Sequence, residues 1–142
     1  MAYKIFLDVN IVLDLLHADR EFHKDAKELF FAIDANLCLA YYSESILTTM
    51  AYVLRKKMTP SQINSVILEF SKKIKFLTCT EIESLNAAKK DPLDFEDALL
   101  YEIAYHHKMD YFVTSNIKDF KKIAQSGLPV IRARELNKIL TA

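Results

Sequence analysis

FLDVNIVLDLL, residues Phe6–Leu16, changes its hydrophobic period in mid-course. From Lys4 to Val9 the chain is a short, nearly continuous apolar run, the pattern of a strand covered on both faces. From Ile11 onward the period is helical, with Ile11, Leu15 and Leu16 on one face. Asp8 falls at the carboxyl end of the strand, where the period changes. Aspartate is depleted inside strands and costly to bury unpaired. Its position therefore has two readings: a cap or loop acid for the helix that follows, or a member of a site.

The alternation of strand and helix continues along the chain. A helix is expected from Phe22 to Ala35, with Ala26, Leu29, Phe30 and Ile33 on its apolar stripe, and a second strand over Leu37–Tyr42. Ser45–Lys57 reads as a helix whose last turn, Arg55, Lys56 and Lys57, suits the helix dipole. Thr59 and Pro60 are an N-cap and a first helical residue, opening a helix that runs to about Lys73. Lys75–Cys79 is a third strand and Glu81–Lys90 a helix broken by Pro92. Asp94–His107 is the next helix, Tyr111–Thr114 a fourth strand, and Lys118–Gln125 a short helix. Pro129–Ile131 is a last short strand before a helix from Ala133. A single glycine and three prolines leave little punctuation, so helix should dominate. Strands alternating with helices predict an α/β fold in layers with a mainly parallel sheet of four to five strands. Sites in such sheets form outside the carboxyl ends of the strands.

The bulk numbers set bounds rather than a function. With 142 residues, the chain fits one domain, residues 1–142, large enough to bury a core without covalent staples. A hydrophobic fraction of 51% excludes a disordered chain. Nineteen basic residues balance nineteen acidic ones, so any nucleic-acid binding must rely on a local patch. Cys38 and Cys79 form no zinc or disulfide pattern and read as small core residues. The N-terminus has no long apolar region, so no signal peptide or membrane span is expected, and a cytoplasmic location follows by default.

Polar groups gather at three strand ends or helix starts. Asp8 follows the first strand. Asp94 and Asp97 are three residues apart and share a helical face, although each taken alone suits the first turn of a helix. Glu96 points about a hundred degrees from Asp97 and reads as a solvated or supporting acid. Thr114, Asn116 and Asp119 follow the fourth strand, where Asn116 also suits a turn and Asp119 a cap. Converging carboxylates repel one another unless a cation lies between them. Hard oxygen donors without His or Cys select Mg²⁺ or Mn²⁺ over zinc.

At these residues the chain resembles the PIN-domain family of metal-dependent ribonucleases, which includes the VapC-type toxins. The resemblance rests on FLDVNIVLDLL at Phe6–Leu16, DFEDALLYEIA at Asp94–Ala104 and FVTSNIKDF at Phe112–Phe120, in that order and spacing. It implies a three-layer α/β/α sandwich, one or two Mg²⁺ or Mn²⁺ ions, and endoribonuclease activity on RNA. Asp8, Asp97, Asn116 and Asp119 match the catalytic positions, and Asp8, Asp97 and Asp94 would hold metal. Asn10 and Thr114 match supporting positions. The family usually has a Glu in the helix after the second strand; by register from Ser43 and YVLRK that position is Thr49, a poor ligand without charge. Glu44, five residues earlier, is a weak substitute. The resemblance also implies a homodimer and a small antitoxin protein as partner.

Arg55, Lys56 and Lys57, and Lys118, Lys121 and Lys122 beside the acidic loop, are candidate RNA phosphate contacts, if not simply solvated helix ends. Tyr41, Tyr42, Tyr101 and Tyr105 lie near site elements, but most aromatics should be core. His17, His23, His106 and His107 have no trusted ligand spacing. Two other functions compete with the nuclease. One, motivated by Thr49, is a degenerate PIN-like module that binds RNA or protein without turnover. The other, a phosphotransfer receiver or phosphatase, is weaker, because Asp94 and Asp97 begin a helix rather than follow a strand.

Overall fold

The computed structural model describes residues 2–90 and 94–142. In chain order the elements are β1 Lys4–Leu7, α1 Val9–Leu16, α2 His23–Asp34, β2 Leu39–Ser43, α3 Glu44–Leu54, α4 Pro60–Ser71 and β3 Ile74–Leu77. They are followed by α5 Glu81–Ala88, α6 Phe95–His106, β4 Tyr111–Val113, α7 Ile117–Phe120, β5 Val130–Ile131 and α8 Ala133–Leu140. The five strands are parallel, in the order β3-β2-β1-β4-β5, and helices flank the sheet in the expected three-layer α/β/α arrangement. Among the described residues no helix is long and apolar enough to cross a membrane. The break expected at Pro92 lies outside the described residues.

β1 is central because it is apolar on both sides. Ile5, Phe6 and Leu7 are fully buried, so helices must cover both faces of the sheet at this point. Phe6 stacks on Phe112 of β4 with ring centroids 5.4 Å apart, and Phe112 packs in turn against Phe120 at 4.5 Å. Leu29, Ile46, Met50 and Leu136 complete the core from α2, α3 and α8. Cys38 is buried there as expected, while Cys79 is only partly buried, beside Ser84.

Local signals account for most helix starts. Thr59 accepts from the Gln62 N–H, Gln62 returns a bond to the Thr59 N–H, and Pro60 takes the first helical position. Thr80 and Glu83 form a second such box at α5. Two helices are shorter than their sequences suggest. α3 ends at Leu54, and Arg55–Lys57 form a closing turn whose Lys57 and Met58 N–H groups donate to the Leu54 carbonyl. α7 is a single turn rather than a helix to Gln125. Phe120 is drawn into the core, and the Gln125 N–H donates to the Tyr101 hydroxyl at 2.7 Å instead of continuing a helix.

Tyr101 and Tyr42 are fully buried, so they are core residues and not stacking surfaces for RNA; Tyr105 lies at the far end of α6 beside Gly127. The Tyr101 hydroxyl also donates to the Leu128 carbonyl at 2.8 Å, which ties α6 to the segment entering β5. Tyr101→Phe leaves the buried Leu128 C=O and the partly buried Gln125 N–H without this partner. It should cost about 1–3 kcal/mol, read as a lower urea midpoint at unchanged slope. A midpoint equal to wild type would show that the tie contributes nothing.

Candidate metal centre

Strand order reverses direction at β1. β2 and β3 lie on one side of it, β4 and β5 on the other. The crevice between the carboxyl ends of β1 and β4 is therefore a topological switch point, where parallel sheets open a binding site. Asp8 leaves β1 on one side of this crevice, and Thr114 leaves β4 on the other.

The backbone and side chains of these two residues are joined. The Asp8 N–H donates to the Val113 carbonyl at 3.0 Å. The Thr114 hydroxyl donates to Asp8 Oδ2 at 2.8 Å, and the Asn10 side-chain amide donates to the same oxygen at 3.1 Å. Asp8 has the extended backbone of an N-cap, but apart from the adjacent Val9 N–H its carboxylate makes no capping bond to α1. Capping thus fails to explain Asp8. Asp8 is only 1% exposed, among the described residues no lysine or arginine forms a salt bridge with it, and burial pushes its pKa up to about 6 against the lowering effect of the bonds from Thr114, Asn10 and the Val9 backbone.

Thr114 is used in both directions. Its hydroxyl donates to Asp8 and accepts from the Asn116 N–H at 2.9 Å. The Asn116 amide in turn donates to Asp119 Oδ2 at 3.0 Å. Asn116 and Asp119 are held in place because Phe120, next in sequence, is anchored in the core against Phe112. Asp119 itself is half exposed and stands 3.8 Å from the Lys122 ammonium.

α6 brings the second group of acids. Asp94 is its N-cap and accepts from the Glu96 N–H at 3.1 Å, so the capping reading holds for Asp94. Asp97 sits within the first turn, partly buried. Its pKa rises to about 7, first through burial and then through the repulsion of Asp8, Asp94, Glu96 and Asp119, in that order. The charges acting most strongly on Asp97 are thus all carboxylates. Of the two readings for Glu96, the contacts favour the supporting one: its Oε1 accepts from the Thr49 hydroxyl of α3 at 3.0 Å, and its charge acts on both Asp8 and Asp97. The sequence signals for this were its place next to Asp97 and the threonine at position 49. Glu44 is exposed on the first turn of α3 and shares no hydrogen bond with these groups among the described residues.

The donor set is carboxylate, hydroxyl and amide oxygen. Among the described residues no three acids, histidines or cysteines stand together as a finished metal cluster. Mg²⁺ does not need one, since it keeps several waters and is commonly held by one or two carboxylates. Two partly or fully desolvated carboxylates facing further negative charge fit such an ion. The histidines play no part here: the His106 ring Nδ1–H donates to the buried Glu83 carboxylate at 2.8 Å, at the other end of α6.

These ionisations bear on stability. Asp97 binds its proton more tightly when folded than when unfolded, so in metal-free protein its ionisation lowers stability as pH rises from about 4 to about 7. Asp97→Asn removes that penalty. In EDTA its melting temperature should exceed that of wild type by more at about pH 8 than at about pH 5. A difference that is constant or shrinks with pH would contradict this charge balance.

Comparison with known proteins places the geometry in a family. A family model described as a PIN domain matches residues 4–118. The fold is similar to DNA-bound VapBC from Salmonella typhimurium, with TM-score 0.70 and 17% identity, covering 92% of this chain and 98% of that one. It is also similar to a toxin–antitoxin complex from Klebsiella pneumoniae (TM-score 0.66, 20% identity, 87% and 94% covered). A third similar structure is Mycobacterium tuberculosis VapC20, a toxin that cleaves the sarcin–ricin loop (TM-score 0.62, 17% identity, 76% and 86% covered). No curated sequence gives a significant match. With more than half of its length matched, and with the acids of its three motifs converging on the switch point between β1 and β4, the chain belongs to the PIN-domain family.

Proposed function

We propose that residues 1–142 act as one domain, a Mg²⁺- or Mn²⁺-dependent endoribonuclease serving as the toxin of a toxin–antitoxin pair. The observation that carries this reading is the concentration of mutually repelling carboxylates on Asp8 and Asp97 at the switch point of a PIN-family fold. Asp8 and Asp97 would hold the cation, whose charge would offset their repulsion and lower both pKa values. When bound, Mg²⁺ or Mn²⁺ supplies a water of lowered pKa and stabilises charge on the phosphoryl oxygens of an RNA phosphodiester.

The chain's own residues do the positioning. Thr114 and Asn10 fix Asp8 Oδ2, which leaves its carboxylate a single orientation. Asn116 restrains Asp119 at the rim, where a half-exposed carboxylate meets solvent and substrate. Lys118 and Lys122 on and after α7, both exposed, offer phosphate contacts next to the acids. Arg55 lies over the Tyr52 ring at 4.1 Å. Lys56 and Lys57 line a cleft with His17 and Arg20, a basic rim on which a longer RNA is retained without sequence preference. An antitoxin protein partner belongs to the same reading, by analogy with the complexes named above, and a homodimer by the resemblance to the family.

A second reading rests on one observation, Thr49 in place of the family's usual acid. On it, the chain is a PIN-like module that binds RNA or protein without efficient turnover.

Purified protein should cleave single-stranded RNA with Mg²⁺ or Mn²⁺, stop in EDTA, and fall by about a hundredfold or more as Asp97→Asn. RNA binding without metal-dependent cleavage would favour the binding module. Equal cleavage by wild type and Asp97→Asn would dismiss the acidic-site mechanism.

A further inference from the structure

We infer that Glu96 supplies, from α6, the outer negative charge of the proposed cation site that position 49 of α3 does not carry, with Thr49 as its positioning residue. This rests on the reading of Asp8 and Asp97 as a cation site.

The geometry links α6 to α3. Glu96 belongs to the first turn of α6 beside Asp97, yet its side chain reaches α3, where the Thr49 hydroxyl donates to Oε1 at 3.0 Å. Thr49 also lies 3.3 Å from the Ser45 carbonyl one turn back, so its single proton is shared or switched between two acceptors. That contact ties a long, rotamer-rich side chain to a helix from another part of the chain and limits its freedom. Among the described residues no lysine, arginine or histidine pairs with Glu96. A partly buried carboxylate held by one hydroxyl, close enough to be felt by Asp8 and Asp97, has no counter-charge of its own.

A threonine is a poor cation ligand, but it is a good donor. At position 49 a carboxylate would face Glu96 and repel it; a hydroxyl holds it. The exchange moves one acid from α3 to α6 and keeps the negative charge of the site. Because Mg²⁺ retains several waters, Glu96 need not touch the ion to stabilise it. Asp94 is less suited to the role, since its carboxylate is exposed and committed to the α6 cap.

The test is Mn²⁺ affinity, measured by isothermal titration calorimetry on the full chain, with circular dichroism to confirm that each variant folds. Glu96→Gln should weaken Mn²⁺ binding by about tenfold or more, and Thr49→Val by a smaller factor, as losses of a partner around a metal do. Thr49→Glu in the Glu96→Gln background should recover affinity, because the acid returns to α3. Thr49→Glu alone should not improve on wild type, because two carboxylates then face each other. Binding lost in Asp97→Asn but unchanged in Glu96→Gln would overturn the role of Glu96 and leave the cation site standing. Wild-type affinity in Thr49→Val would overturn the positioning role. No Mn²⁺ binding by wild type would remove the cation site itself, and this inference with it.

Discussion

The hydrogen bond from the Thr114 hydroxyl to Asp8 Oδ2 joins the ends of β1 and β4 across the point where the sheet reverses direction. Both residues are buried, so neither can exchange this bond for one to water. The placement of Asp8, Asn116 and Asp119 leads back to it. β1 must be apolar on both faces to reach the crevice. β4 must lie beside it in parallel register, Leu7 opposite Val113, for Thr114 to reach Asp8. Thr114 in turn receives the Asn116 N–H, and Asn116 restrains Asp119. Loss of the one hydroxyl would leave a desolvated carboxylate with a single side-chain donor, Asn10.

The fold was largely legible because its signals are local. A change of period at Asp8, an N-cap and proline at Thr59–Pro60, and short apolar runs between helices mark the elements within a few residues. The strand order was not legible in the same way, since it depends on crossovers between distant segments. The limits of the reading lie where a tertiary contact overrides a local pattern. α7 is a single turn, and the segment after it does not resume a helix to Gln125, whose N–H is taken by Tyr101 on another helix.

The site was legible as a set and ambiguous residue by residue. Asp8 and Asp94 look alike in sequence, each an aspartate just before a helix. Asp94 does cap its helix, whereas Asp8 is turned away by a hydroxyl 106 residues distant. No local rule separates the two. Glu96 shows the converse. Helical geometry sets it to one side of Asp97, and only the contact with Thr49, 47 residues away, turns it back toward the acids. The threonine that reads in sequence as a defect is thus, in the folded chain, the partner of a neighbouring carboxylate.

The central claim is that the mutually repelling carboxylates of Asp8 and Asp97 are placed to hold a divalent cation. Crystals soaked in Mn²⁺ and measured near the manganese absorption edge test it directly. The account predicts an anomalous peak in the crevice between β1 and β4, in contact with the carboxylates of Asp8 and Asp97. A fully soaked crystal with no peak there, or with manganese only at surface acids elsewhere, would contradict it.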